Sequence, residues 1–146
     1  MKILVINGPN LNMLGKRKPE VYGSKTLEEI NGYIKDYFKR VKTEFFQSNH
    51  EGEIIDKLHE AGREYQGVVI NAGAFTHYSY AIRDAVEACG IPVTEVHISN
   101  TAGRENFRKT SVISDVCMGT ITGFGTYSYV LGIQALAHHL KRRAND

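Results

Sequence analysis

Short unbroken runs of apolar residues alternate along the chain with longer stretches in which apolar positions recur every three or four residues. Runs of the first kind, bounded by Asn, Gly or Pro, are typical of strands covered on both faces of a parallel sheet. The predicted strands are residues 3–6, 43–48, 67–71, 92–97 and 116–122.

The periodic stretches between these runs predict amphipathic helices. The first carries its apolar stripe from Leu27 to Val41, with Ser24 or Thr26 as N-cap. Further helices are predicted at residues 51–65, from residue 80 to a stop at Gly90, and at about 126–141. Strands that alternate with helices in this way predict an open parallel α/β sheet with helices on both faces.

Composition and charge narrow the class of protein. The 146 residues suffice for one domain, residues 1–146, and 18 Lys and Arg against 16 Asp and Glu leave a net charge of +2. That charge is too small to indicate a nucleic-acid surface. The cysteines, Cys89 and Cys117, lie in apolar segments without metal-binding or redox spacing, as buried thiols of a reducing compartment do. With no apolar run near ~18 residues and no secretory leader, we expect a cytoplasmic protein.

Polar side chains follow three of the predicted strands. A long loop, residues 8–24, follows the first strand and carries Asn10 and Tyr22; Asn71 and His77 follow the third, and His97 ends the fourth. In a sheet of order 2-1-3-4-5, ligands bind at the carboxyl ends of the strands, beside the switch in strand order between strands one and three. We therefore expect these side chains to share one crevice.

Glu95 and His97 are two residues apart on one strand and so share a face. A carboxylate in that position can orient the imidazole and favour its protonated form, which would suit a general acid. The alternative interpretation is a strand-end histidine whose hydrogen bonds are made by backbone groups. The convergence of three polar strand ends argues against it.

The long loop also carries Arg17, five residues before Tyr22. A phenol has a pKa of ~10, about three units above neutral pH. At 1.36 kcal/mol per unit, ionising it at neutral pH therefore costs about 4 kcal/mol. One cation at ~4 Å contributes about 4 kcal/mol at an effective dielectric near 20, so a single close arginine would suffice to make the tyrosine a base. A half-buried loop aromatic beside a solvated charge is the alternative.

Residues 99–108 offer a hydroxyl at Ser99 and arginines at positions 104 and 108, spaced as on one face of a helix. Backbone amides at a helix start bind carboxylates, and arginine guanidinium groups form bidentate hydrogen bonds with oxygen atoms. A solvated turn with surface arginines fits the same pattern equally well.

Taken together, these motifs resemble the type II 3-dehydroquinate dehydratases, and the resemblance covers essentially the whole chain. Four separated motifs in the right order make it specific. The matching residues are 6–12, 15, 17, 19–23, 70–74, 76–77, 95–100, 104 and 107–108.

The resemblance implies a flavodoxin-like three-layer fold, assembly as a homododecamer (a tetramer of trimers) and no metal or organic cofactor. It implies reversible dehydration of 3-dehydroquinate to 3-dehydroshikimate, an anti elimination through an enolate, in the shikimate pathway or in quinate breakdown. Tyr22 would be the base, kept ionised by Arg17 on a mobile lid, and Asn10 would hold a water near the enolate oxygen. His97, positioned by Glu95, would be the acid. The implied substrate-binding residues are Asn71, His77, Ile98, Ser99 and Arg108, together with Asp84 from a neighbouring subunit and Arg104 in a less defined role.

The chain departs from the family pattern at Lys18, at residues 101–103 and at residues 109–110. None of these positions carries an expected catalytic group, so the departures bear on lid kinetics and affinity.

A non-catalytic flavodoxin-like binding or signalling module is the alternative function. A phosphoacceptor module would want Asp where the chain has Asn7 and Asn71, a dinucleotide binder would want GxGxxG after strand one, and a flavin binder would be yellow.

Overall fold

The structure, a computed structural model, describes residues 1–145 and contains a five-stranded parallel sheet. Its strands are Lys2–Asn7 (β1), Lys42–Gln47 (β2), Gly67–Asn71 (β3), Val93–His97 (β4) and Gly119–Thr122 (β5). Their spatial order is β2-β1-β3-β4-β5, with every neighbouring pair parallel. The predicted flavodoxin-like α/β fold of order 2-1-3-4-5 is confirmed.

Helices cover both faces of this sheet. They are Pro19–Tyr22 (α1), Leu27–Tyr37 (α2), Glu51–Glu64 (α3), Tyr80–Ala88 (α4) and Tyr127–Asn145 (α5). One apolar core lies between the sheet and helices α3 and α4, and a second lies between the sheet and helices α2 and α5. Leu4 and Ile6 belong to the first core and Ile3 and Val5 to the second, which explains the unbroken apolar run of β1.

Some predicted boundaries are wrong. Helix α2 ends at Tyr37, because Phe38 leaves the helical conformation, although Val41 still packs against the same core. Thr26 is its N-cap and accepts a hydrogen bond from the N–H of Glu29 at 3.2 Å. Strand β5 starts at Gly119 because the residues before it, Ser114–Val116, form a 3₁₀ turn. Helix α5 runs on to Asn145.

The carboxyl ends of β1 and β3 lie side by side. Asn7 is in register with Asn71, and the N–H of Gly8 donates to the carbonyl of Asn71 at 2.7 Å. A Cβ on Gly8 would lie 2.4 Å from the carbonyl oxygen of Ala72, so only glycine permits this approach.

No helix within residues 1–145 has both the length and the apolarity to cross a bilayer.

Candidate active site

A crevice opens at the carboxyl ends of β1, β3 and β4, as the polar strand ends predict. Ten of the predicted site residues line it: Asn10, Arg17, Tyr22, Asn71, His77, His97, Ile98, Ser99, Arg104 and Arg108. Glu95 lies fully buried behind His97. Asp84 is exposed on α4 and does not line this crevice.

Tyr22 is the last residue of α1 and has only 8% of its surface exposed. Its hydroxyl oxygen accepts a hydrogen bond from Nη1 of Arg104 at 2.7 Å. The guanidinium of Arg17 lies instead over the ring, 4.8 Å from its centroid. Two cations therefore flank this tyrosine, and the one that meets its oxygen is Arg104.

Arg104 connects the loop after β1 to the end of β4, because it also donates to Oγ of Ser99 at 3.2 Å. The predicted helical face shared by Arg104 and Arg108 is wrong. Arg104 lies between two short 3₁₀ turns, Thr101–Gly103 and Asn106–Lys109, and Arg108 belongs to the second. Both arginines nevertheless reach the crevice.

Nε2 of His97 lies 2.7 Å from Oε1 of Glu95. Burial alone would raise the pKa of Glu95, but hydrogen bonds from His97, Thr76 and Ser111 outweigh it and hold that pKa below its usual range. Glu95 is therefore an ionised acceptor, and Nε2 of His97 carries a hydrogen. Nδ1 is the ring nitrogen left for a bound molecule.

The amide of Asn71 is held by a buried tyrosine, Tyr129, that the sequence pattern does not indicate as a site residue. Nδ2 of Asn71 donates to the hydroxyl of Tyr129 at 3.0 Å, and that hydroxyl donates to Oδ1 of Asn7 at 2.5 Å. Oδ1 of Asn71 accepts from the N–H of Gly73 at 3.2 Å. One N–H of the Asn71 amide remains for a ligand. The only signal in the sequence was a tyrosine in the buried stripe of α5, whose hydroxyl needs a partner.

His77 is held in one tautomer by a backbone contact. Nδ1 lies 2.7 Å from the carbonyl of Thr110, so Nδ1 is the donor. Burial lowers the pKa of His77 and favours its neutral form. Nε2 of His77 is then an acceptor suited to a hydroxyl group of a ligand. Arg108, on the same side of the crevice, is oriented by Glu105, whose Oε2 accepts from Nε at 2.6 Å.

Asn10 adopts a left-handed backbone conformation, φ 68° and ψ −4°, which asparagine tolerates. Its N–H donates to Oδ1 of Asn49, which follows β2, at 2.9 Å. Asn49 is a further positioning residue that the sequence did not indicate.

Within residues 1–145, no three or more His, Cys, Asp or Glu side chains are grouped to hold a metal ion.

The sequence profile of the family described as "Dehydroquinase class II" matches residues 1–137. The chain belongs to this family. The chain is 58% identical over 136 residues to the 3-dehydroquinate dehydratase of Thermotoga neapolitana and 61% identical over 136 residues to that of Chlorobaculum tepidum; each match covers 92% of both chains. The type II dehydroquinase structure from Butyrivibrio crossotus superposes with a TM-score of 0.92 at 51% identity, covering 94% of this chain and 97% of that one.

Proposed function

We propose that this chain is a lyase that reversibly converts 3-dehydroquinate into 3-dehydroshikimate and water. The observation that carries the proposal is the pairing of two chemical groups in one crevice. The hydroxyl of Tyr22 is bound by Arg104, and His97 is bound through Nε2 by the ionised Glu95. The names of the related dehydratases support the choice of substrate.

In the first step Tyr22, as phenolate, removes the proton from the carbon next to the ketone. The C–H electron pair moves toward the carbonyl and gives an enolate. The guanidinium of Arg104 stabilises the phenolate through a charge-assisted hydrogen bond, and Arg17 adds a second positive charge over the ring. Asn10 lines the same crevice and would hold a water beside the enolate oxygen.

In the second step the enolate collapses and the tertiary C–O bond breaks on the opposite face of the ring. Protonated His97 gives its Nδ1 proton to the departing hydroxyl, which leaves as water. Glu95 stabilises the imidazolium before transfer and fixes the ring afterwards, because Nε2 stays bound to Oε1. Anti stereochemistry requires Tyr22 on its loop and His97 at the end of β4 to meet opposite faces of the substrate ring, and this arrangement is part of the proposal.

The remaining crevice residues would bind the substrate. Backbone amides of Ile98 and Ser99, with the spare N–H of Asn71, suit its carboxylate. The ring hydroxyls would meet Nε2 of His77 and the guanidinium of Arg108.

The proposal also covers assembly and location. We infer a single catalytic domain that forms a homododecamer, a tetramer of trimers, with the exposed Asp84 of α4 reaching a neighbour's crevice. We place the enzyme in the cytoplasm, where the free thiols of Cys89 and Cys117 would stay reduced.

The direct test is incubation of the purified protein with 3-dehydroquinate in the presence of a chelator. We expect the conjugated enone absorbance of 3-dehydroshikimate to appear, and His59→Ala, a change of an exposed histidine on α3, to leave the rate unaltered. A folded, assembled protein that gives no enone would refute the proposal. A yellow protein that releases flavin would favour a binding module.

A further inference from the structure

The carboxylate of Glu95 is surrounded by donors that come from several elements. Besides Nε2 of His97, it accepts from the hydroxyls of Thr76 and Ser111, the latter lying 2.9 Å from Oε1 and 3.1 Å from Oε2. The hydroxyl of Thr120 on β5 lies 3.2 Å from Oε2. These contacts involve both oxygens of a fully buried carboxylate.

The direction of these hydrogen bonds follows from counting donors and acceptors. Oγ of Ser111 accepts from the N–H of Ile113 at 3.3 Å and of Ser114 at 3.1 Å, which uses both of its lone pairs. Its single hydrogen is left for Glu95. Thr76, whose Oγ1 lies 3.0 Å from Ser111, then also directs its hydrogen to Glu95. Both hydroxyls are thus fixed as donors to one ionised group.

The two hydroxyls reach Glu95 from separate segments. Thr76 is fully buried in the 3₁₀ turn Gly73–His77 that follows β3, and Ser111 precedes the turn before β5. The segments are joined where the N–H of Val112 donates to the carbonyl of Thr76 at 2.8 Å. The carboxylate is therefore held by both loops independently of the loop that carries Tyr22.

We propose that Thr76 and Ser111 are positioning residues for the acid step, acting on His97 through Glu95. The inference rests on the proposed function. By donating to both carboxylate oxygens, the hydroxyls hold Glu95 ionised and in one rotamer, and so keep Nδ1 of His97 aimed at the departing hydroxyl. Neither hydroxyl is required to touch the substrate in this role.

Thr76→Val is the sharpest test, because it removes the donor and keeps the side-chain shape. Thr94→Val is its matched control: Thr94 is also buried, lies beside Glu95 on β4, and its Oγ1 has no hydrogen-bond partner within residues 1–145. Since small misplacement of a reacting group costs up to ~10²-fold in rate, we expect Thr76→Val to lower kcat about 10- to 100-fold. KM should change little, Thr94→Val should match the parent enzyme, and Thr76→Ser should recover most of the lost kcat.

Residues that act as one unit give non-additive losses. Adding Thr76→Val to His97→Ala should therefore cause no further fall in kcat. If circular dichroism shows that the Thr76→Val protein does not fold, Ser111→Ala replaces it in the test. We then expect Ser111→Ala to lower kcat with little change in KM, and Ser111→Thr, which keeps the hydroxyl, to recover most of the lost kcat.

Two outcomes would overturn the inference while leaving the proposed function intact. One is a parent-like kcat in Thr76→Val when His97→Ala is strongly impaired. The other is a full additional loss when Thr76→Val is combined with His97→Ala. A parent protein that does not dehydrate 3-dehydroquinate would instead refute the proposed function itself, so the two failures are distinguishable.

Discussion

The hydroxyl oxygen of Tyr22 lies 2.7 Å from Nη1 of Arg104, although 82 residues separate the two along the chain. Arg17, only five residues from Tyr22, contacts the face of the ring instead. Arg104 thus meets the oxygen on which negative charge would be carried. Arg17 contributes charge without a hydrogen bond to that oxygen.

The first prediction compares these two arginines. A cation at ~4 Å is worth about 4 kcal/mol at an effective dielectric near 20, which corresponds to roughly 10³-fold in rate. We expect Arg104→Ala to lower kcat by about 10²- to 10³-fold and Arg17→Ala to lower it less, because no hydrogen bond is lost. Arg104→Lys should recover part of the loss, and Lys16→Ala, on the exposed side of the same loop, should have no effect. A larger loss in Arg17→Ala would give Arg17 the main role.

The second prediction concerns the base. Tyr22→Phe keeps the buried ring and removes the reacting oxygen. We expect turnover to fall by about 10³-fold or more, since the variant lacks the oxygen that takes the proton in the proposed first step. The dissociation constant for 3-dehydroquinate, measured by calorimetry on the inactive variant, should stay within a few-fold. Retained turnover would point to a different base, and the exposed Tyr80→Phe serves as control.

The third prediction concerns the acid. His97→Ala should lower kcat by about 10²- to 10⁴-fold, the usual range for a general acid. A leaving group that needs little protonation would remain reactive in this variant. Steady-state assays of the variant with 3-dehydroquinate and with a substrate carrying such a leaving group therefore separate the loss of proton donation from other effects of the substitution. A fall in kcat of less than tenfold with 3-dehydroquinate would remove the assignment of His97 as the acid.

The fourth prediction is a pH dependence of stability. The pKa of Glu95 in the folded chain lies below its ordinary value of 4.5. The ionised carboxylate therefore stabilises the fold above pH 4.5, and this contribution is lost as the pH falls through the folded-state value. In urea unfolding at fixed protein concentration, Glu95→Gln should be less stable than the parent near pH 7, and the gap should narrow in acid. A pH-independent gap would exclude this linkage; Glu28→Gln, exposed on α2, is the control.

Much of the fold was predictable because local signals and tertiary structure agree. The apolar run of β3 begins after Gly67 and stops at Asn71, so the predicted bounds of this strand, residues 67–71, agree with the structure. The crevice was predictable for the same reason: the carboxyl ends of neighbouring parallel strands must meet. The start of β5 was missed because the backbone of Ile113 and Ser114 bonds to a serine hydroxyl, a local competition that apolar patterning does not report.

Contacts between distant segments were the part that the sequence could not provide. The apolar pattern does not distinguish Tyr129 from the other core residues of α5, yet its hydroxyl bonds to two asparagines, Asn7 on β1 and Asn71 on β3. Arg104 and Arg17 are equally plausible partners of Tyr22 by residue type, and only the path of the backbone after β4 decides which reaches the oxygen. Such choices depend on packing, and one-dimensional spacing carries no record of them.

The last prediction concerns Asp84, which is exposed on α4 and absent from the lining of the crevice of its own chain. If its carboxylate completes a neighbouring site, Asp84→Asn should lower kcat/KM about 10-fold or more, because a hydrogen bond to a charged group is worth roughly 1.5–3 kcal/mol. Co-assembly with Tyr22→Phe should then restore activity: an Asp84→Asn subunit keeps its own Tyr22 and receives an intact Asp84 from its neighbour. Activity above the average of the two separate variants, in particles sized by light scattering, is the expected result. As a control, an Asp56→Asn subunit, changed at an exposed residue of α3, should merely dilute the inactive Tyr22→Phe subunits. The absence of any gain with Asp84→Asn would confine Asp84 to a role in its own chain.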